Sequence, residues 1–267
     1  MATVVDFRTE VIHRYVFELR YDFGQVYWDR AGRIAKAILA KQEEWDFSEI
    51  DLNGCQLVHR SANLAFNFGH EKLDLAQTQS ADVEELLPVH KFSTIAESAA
   101  SIVAEHLEID SFPRIGFRAW LLYPACDREE SHRFVHDLGL FTLDSAVKES
   151  IGNPSEVSHR LVIERPSHML RIAVAPFEQH IDLPPSVLRA ARTRPRDRSR
   201  GQRQAAIDRL KAERTIGHYP QFGLLLDFDA YIEDPPYPDE LPVSDFISNS
   251  FEDFQKTKKV VLETTRA

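Results

Sequence analysis

The sequence predicts an α+β fold: two fused ferredoxin-like (split βαβ) halves with mostly antiparallel sheets and a C-terminal helix. Three observations carry this. The stretch FGLLLDFDAYI alternates at period two, with Phe222, Leu224, Leu226, Phe228, Ala230 and Ile232 on one face. Gly223, Leu225, Asp227, Asp229 and Tyr231 fall on the other face, and Pro235-Pro236 ends the strand. An earlier stretch, RIGFRAWLLYP, alternates in the same way through Ile115, Phe117, Ala119, Leu121 and Tyr123, and Pro124 is expected to stop it. Around these two strands the elements read βαββαβ and then αββαβ, the order of a duplicated split unit. The expected halves are residues 1–124 and 125–267.

Taken in order, residues 4–22 read as a long strand, with Val11, His13, Tyr15, Phe17, Leu19 and Tyr21 on one face. Residues 26–43 read as a helix with Tyr27, Ala31, Ile34, Ala35, Ile38 and Leu39 on one stripe. Asp51-Leu52-Asn53-Gly54 is a turn, and two strands are expected over 55–68 and 71–79. Thr94 and Glu97 match a capping box and open a helix to Glu108, ahead of the strand 114–123. Asp127 and Glu130 cap a helix through Leu138 that Gly139 ends. Strands 157–165 and 169–175 form a hairpin around Arg165-Pro166-Ser167-His168, and helical sequence follows at 185–192 and 202–214. After strand 222–232, Pro242 opens a last helix whose stripe is Val243, Phe246, Ile247, Ser250 and Phe254.

Composition excludes several classes. The chain is 43% hydrophobic and 28% charged, which is ordinary for a globular domain. No apolar run approaches the ~20 residues of a membrane helix, and the first residues lack signal-peptide features. The expectation is a cytoplasmic protein without membrane contact. Cys55 and Cys126 have no partner at metal or redox spacing, so both are expected to be small buried apolar residues. Net charge is −10, but Arg189 to Arg214 holds ten basic and three acidic residues, so +7 sits there against −17 elsewhere.

Two stretches could carry chemistry. Asp227 and Asp229 place two carboxylates on one strand face, the arrangement that can hold a divalent cation. This apolar-Asp-x-Asp strand resembles that of archaeal and eukaryotic-type primases and other nucleotidyltransferases. No histidine follows Asp229, and no Gly-Ser turn precedes a helix, so the rest of that pattern is missing. The simpler account is the solvated face of an antiparallel strand. The second stretch, 193–203, gathers Arg194, Arg196, Arg198, Arg200 and Arg203 with Pro195 and Gly201, and would meet phosphates as a basic insertion. No aromatic residue is interleaved, so it offers no base-stacking platform. Among the histidines only His132 and His136 share helical spacing, without the glutamate and third ligand of a zinc site. There is no P-loop, GxGxxG, GxSxG or Cys-His nucleophile. No cofactor is expected.

The C-terminal run LLLDFDAY, an acidic proline-bearing linker and FISNSFEDF, together with the N-terminal YVFELR, is similar to a sporadically distributed family of uncharacterised bacterial proteins of about this length. The resemblance covers the two ends of the chain and does not include the arginine segment. It implies a mobile bacterial gene of the kind found in defence or toxin–antitoxin contexts, and no activity. Without a complete catalytic constellation, the expectation is a non-enzymatic module that binds another protein. The alternative is a nucleic-acid-binding or metal-dependent processing protein using the arginine segment and Asp227/Asp229. Duplicated ferredoxin-like units with basic loops occur in CRISPR RNA-processing proteins, but their glycine-rich C-terminal loop is absent here. Basic residues clustered on an aromatic sheet face would favour nucleic acid.

Overall fold

The alternating segments all enter one sheet. In the computed structural model, residues 11–22, 26–41, 44–52, 54–79, 85–109, 111–140, 149–150, 157–179, 220–235 and 242–264 are described. Among the described residues nine strands pair antiparallel throughout, in the order β2-β3-β4-β5-β1-β6-β9-β8-β7. The strands are β1 (Val11–Arg20), β2 (Asp46–Ile50), β3 (Gly54–His59), β4 (Leu64–Gly69), β5 (Lys72–Thr78), β6 (Arg114–Ala125), β7 (His159–Glu164), β8 (Met169–Glu178) and β9 (Phe222–Glu233). The helices are α1 (Tyr27–Lys41), α2 (Val89–Leu107), α3 (Arg128–Asp137) and α4 (Val243–Thr264). The chain is thus a mixed α+β protein with one large antiparallel sheet and a C-terminal helix. Among the described residues no helix is long and apolar enough to cross a membrane.

Period-two alternation puts one apolar face of this sheet under the helices. Phe17 of β1, Phe117 of β6 and Phe228 of β9 join Ile34 of α1, Phe92 of α2, Val135 of α3 and Phe254 of α4 in one buried cluster. The core face assigned to β9 is as expected: Leu224, Leu226, Phe228 and Ala230 are all buried. Asp127 caps α3 by accepting the Glu130 N–H at 2.8 Å, and Gly139 follows with a positive φ of 59°.

Several expectations need correction. α2 begins at Val89 after Pro88, so Thr94 lies inside it and donates to the His90 carbonyl at 2.9 Å. The strand expected over 55–68 is a hairpin, broken by a 3₁₀ turn at Arg60–Ala62 and by Asn63 at φ 48°. No glycine or proline marks that turn. β2 is additional to the expected strands. Pro124 does not end β6: the strand runs on to Ala125, and Pro124 stands opposite Gly223 of β9. Cys126 is exposed, and only Cys55 is buried. Both expected halves enter one continuous sheet, because β6 pairs with β1 on one side and β9 on the other. On the first flank, β5 and β6 run in the same direction with β1 between them, as do β1 and β4 with β5 between them. On the second flank, β7, β8 and β9 are sequential neighbours. Among the described residues the two flanks differ in sheet order. Residues 181–219, which hold the arginine insertion and the helical stretches expected before β9, lie outside the described residues.

Candidate functional site

The face of the sheet away from the helices is polar, and Asp227 and Asp229 sit on it in β9, the third strand from the β7 margin. Neither carboxylate is simply solvated, contrary to the sequence expectation. Asp229 is only 9% exposed, and both are ion-paired. The register explains why. Asp227 stands opposite Trp120, and Asp229 opposite Arg118 on β6 and Arg171 on β8. Arg118 grips both oxygens of Asp227 as a fork, with Nε 2.6 Å from Oδ1 and Nη2 on Oδ2. Trp120 Nε1 donates to the same Oδ1 at 2.9 Å. Asp229 Oδ2 accepts from Arg171 Nη1 at 3.1 Å and from Arg114 Nη2 at 3.4 Å.

From Arg114 a polar chain runs across the sheet. Arg114 Nη1 donates to Glu18 Oε1 at 3.1 Å, and Arg20 Nε donates to the same oxygen at 2.8 Å. Lys72 lies 3.7 Å from Glu18 and 3.6 Å from Asp74. Asn67 donates to Asp74 at 2.7 Å, Gln56 to Asn67 at 2.8 Å, and Ser48 to Gln56 at 3.2 Å. The rings on this face are flanked by guanidinium groups. Arg14 and Arg118 lie 5.2 and 4.9 Å from the Trp120 ring, and Arg114 and Arg171 lie 4.9 and 5.3 Å from Tyr231.

Electrostatics follow from this packing. Burial alone would raise the Glu18 carboxyl, but the Arg20 hydrogen bond and the charges of Arg20, Lys72 and Arg114 outweigh it and hold it below the usual range. The Asp227 hydrogen bond raises the Arg118 guanidinium further. For Asp229 burial wins: its pKa is raised despite Arg114, Arg171 and Arg118. A divalent cation on the two aspartates would have to displace these arginines. Among the described residues no group of three or more His, Cys, Asp or Glu converges as a metal site.

A different surface stands at the margin of the sheet. Among the described residues β2 pairs only with β3, and every one of its residues is exposed. A bulge between Phe47 and Glu49 resets the alternation, so Phe47 opposite Leu57 and Ile50 opposite Cys55 both face the helix side. The first turn of α1 is tied down beside them, Tyr27 Oη donating to the Asp51 carbonyl at 3.2 Å and Trp28 Nε1 to the Leu52 carbonyl at 3.0 Å. This leaves an apolar ledge: Trp28 is 61% exposed, Phe47 49%, Ile50 45% and Leu52 75%. At the other margin, β7 exposes Leu161 and Val162.

Arg194, Arg196, Arg198, Arg200 and Arg203 lie outside the described residues. The sequence placed Asp227 and Asp229 on one face but missed their arginine partners, which are distant in sequence. The only available signal was parity: Arg114, Arg118 and Trp120 occupy the polar positions of β6. Compared with known proteins, the chain matches no family model and no curated protein sequence.

Proposed function

We propose that this protein is a non-enzymatic binding module that takes up an extended segment of another protein as an added strand at an edge of its sheet. The observation that supports this is the state of the two edges, β2 and β7, which among the described residues have a partner strand on one side alone. Open edge strands offer unpaired backbone groups to any passing chain, and proteins ordinarily blunt them with lysine, proline or a covering element. Neither β2 nor β7 contains lysine or proline, and both expose large apolar side chains. Added strands gain main-chain hydrogen bonds from such an edge and specificity from alternate side chains. The test is selection of peptides from a displayed random library on the pure protein. Selected peptides should bind as strands, and either Ile50→Lys or Val162→Lys should weaken them. Peptides that bind both variants as well as the wild type overturn the reading.

A second reading, nucleic-acid binding, is favoured by one observation: four arginines flank Trp120 and Tyr231 on the polar face. Against it, Glu18, Asp227 and Asp229 already pair with Arg20, Arg114, Arg118 and Arg171, and would repel phosphates. Titration of a single-stranded oligonucleotide at low salt decides this, since binding that falls steeply with added salt would put nucleic acid first.

For the architecture, the two interleaved crossovers of the first flank support a ferredoxin-like split unit with the β2-β3 hairpin added at its edge. The duplication, the 1–124 and 125–267 division, the cytoplasmic setting and the bacterial defence context remain readings from the sequence.

A further inference from the structure

We infer that β2 is the accepting edge and that the strand it takes up alternates basic and apolar side chains. This rests on the strand-addition reading above and adds which edge and which chemistry. The two faces of β2 differ. On the helix side, Phe47 and Ile50 continue the apolar surface of the sheet, and Trp28 and Leu52 extend it. On the polar side, Asp46 stands opposite Val58 and Glu49 opposite Gln56. A strand laid beside β2 would have alternate residues against the apolar ledge and the intervening ones beside these carboxylates. The local charge completes the match. Besides Glu44, whose carboxylate lies 2.9 Å from His59 Nε2, residues 44–52 contain Asp46, Glu49 and Asp51 and no lysine or arginine. Opposite charges favour cross-strand pairing, and like charges oppose it. The same rule disfavours a second copy, because β2 paired with its own copy would set acidic strand against acidic strand. β7 is a poorer acceptor of this kind. It carries Arg160 as well as Glu164, and its exposed Leu161 and Val162 are adjacent residues pointing to opposite faces.

The test uses the full chain and a synthetic peptide alternating lysine and valine, with a glutamate–valine peptide as comparator. Hydrogen exchange should slow at 46–50 when the lysine peptide is added, and the indole of exposed Trp28 should shift its emission. Glu49→Lys should weaken the peptide about tenfold. Ile50→Ser serves as a second variant. Both positions are exposed, and unchanged denaturation midpoints confirm that the variants fold. Protection at 159–164 without protection at 46–50 overturns this inference and leaves strand addition standing at β7. Binding that slows exchange in neither strand overturns both readings. Equal binding of the two peptides, or no binding of the lysine peptide at about 1 mM, overturns the charge assignment and with it this inference.

Discussion

Asp227 shows how much a single side chain's role depends on its neighbours across the strands. On its own strand it alternates with Leu226, which is buried in the core. Leu226→Ala should cost about 2–5 kcal/mol, as buried leucines do. Asp227→Ala should cost about 1 kcal/mol, more than an ordinary surface change, because it leaves the Arg118 fork and the Trp120 indole N–H without their acceptor. Denaturant melts of both variants check this; an Asp227 loss equal to or above that of Leu226 would mean that the face assignment is wrong. His168 makes a second residue-scale case. It is buried in the β7–β8 turn, with Nε2 3.5 Å from Asp253 of α4 and Nδ1 3.0 Å from Ser167 Oγ. Burial lowers its pKa below 6.5, outweighing the pull of Asp253, and Arg165 lowers it further. A depressed pKa means the unfolded chain binds the proton more tightly. The contribution is therefore fully present above the usual imidazole range and is lost as pH falls below about 6.5. Between pH 7.5 and 5.5 the wild type should lose stability, and His168→Gln should lose less. Parallel pH slopes for the two proteins would dismiss the effect.

At the scale of elements, β6 and β9 form the longest ladder among the described strands, twelve residues each, and Gly223 lies near one end of it. A Cβ at Gly223 would collide with the Tyr123 carbonyl oxygen, a backbone atom that cannot swing aside. Gly223→Ala should therefore push the strands apart and cost about 1–3 kcal/mol. Gly54→Ala, where the nearest atom is the Phe68 carbonyl oxygen at 3.3 Å, should cost less. Thermal melts rank the two, and the reverse order would show that the β6–β9 end can open freely. The same ladder marks what the sequence could disclose. β6 and β9 were legible because apolar residues recur at every second position over nine or more residues, from Ile115 to Tyr123 and from Phe222 to Ile232. β2 was not, because its bulge sets Phe47 and Ile50 on one face at an odd spacing. The Arg60–Ala62 turn was hidden because Asn63 takes the left-handed conformation without a glycine to announce it. The candidate surfaces follow the same division. Asp227 and Asp229 could be placed on a face from their spacing, but Arg114, Arg118 and Arg171 reach them only through register, which no local pattern encodes.

At the scale of the whole molecule, the question is whether one core or two hold the chain. The buried cluster is continuous from Leu57 of β3 to Val174 of β8. α4 crosses the expected boundary between halves: it packs on α2, and Phe251 meets Tyr15 of β1 edge-on at 5.8 Å. Phe254, one step further along α4, lies 4.9 Å from Phe228 and is 1% exposed. A helix laid across β1, β6 and β9 in this way should make the described sheet unfold as one unit. Phe254→Ala should cost about 3–5 kcal/mol. Its effect should reach amides of β1 and β6 as strongly as those of β9, since none of these strands keeps its packing when the helix is loosened. Calorimetry should give one transition whose calorimetric and van't Hoff enthalpies agree, shifted as a whole in the variant. Two transitions, or exchange that quickens only in β7, β8, β9 and α4, would establish residues 1–124 and 125–267 as separately stable domains sharing a sheet edge.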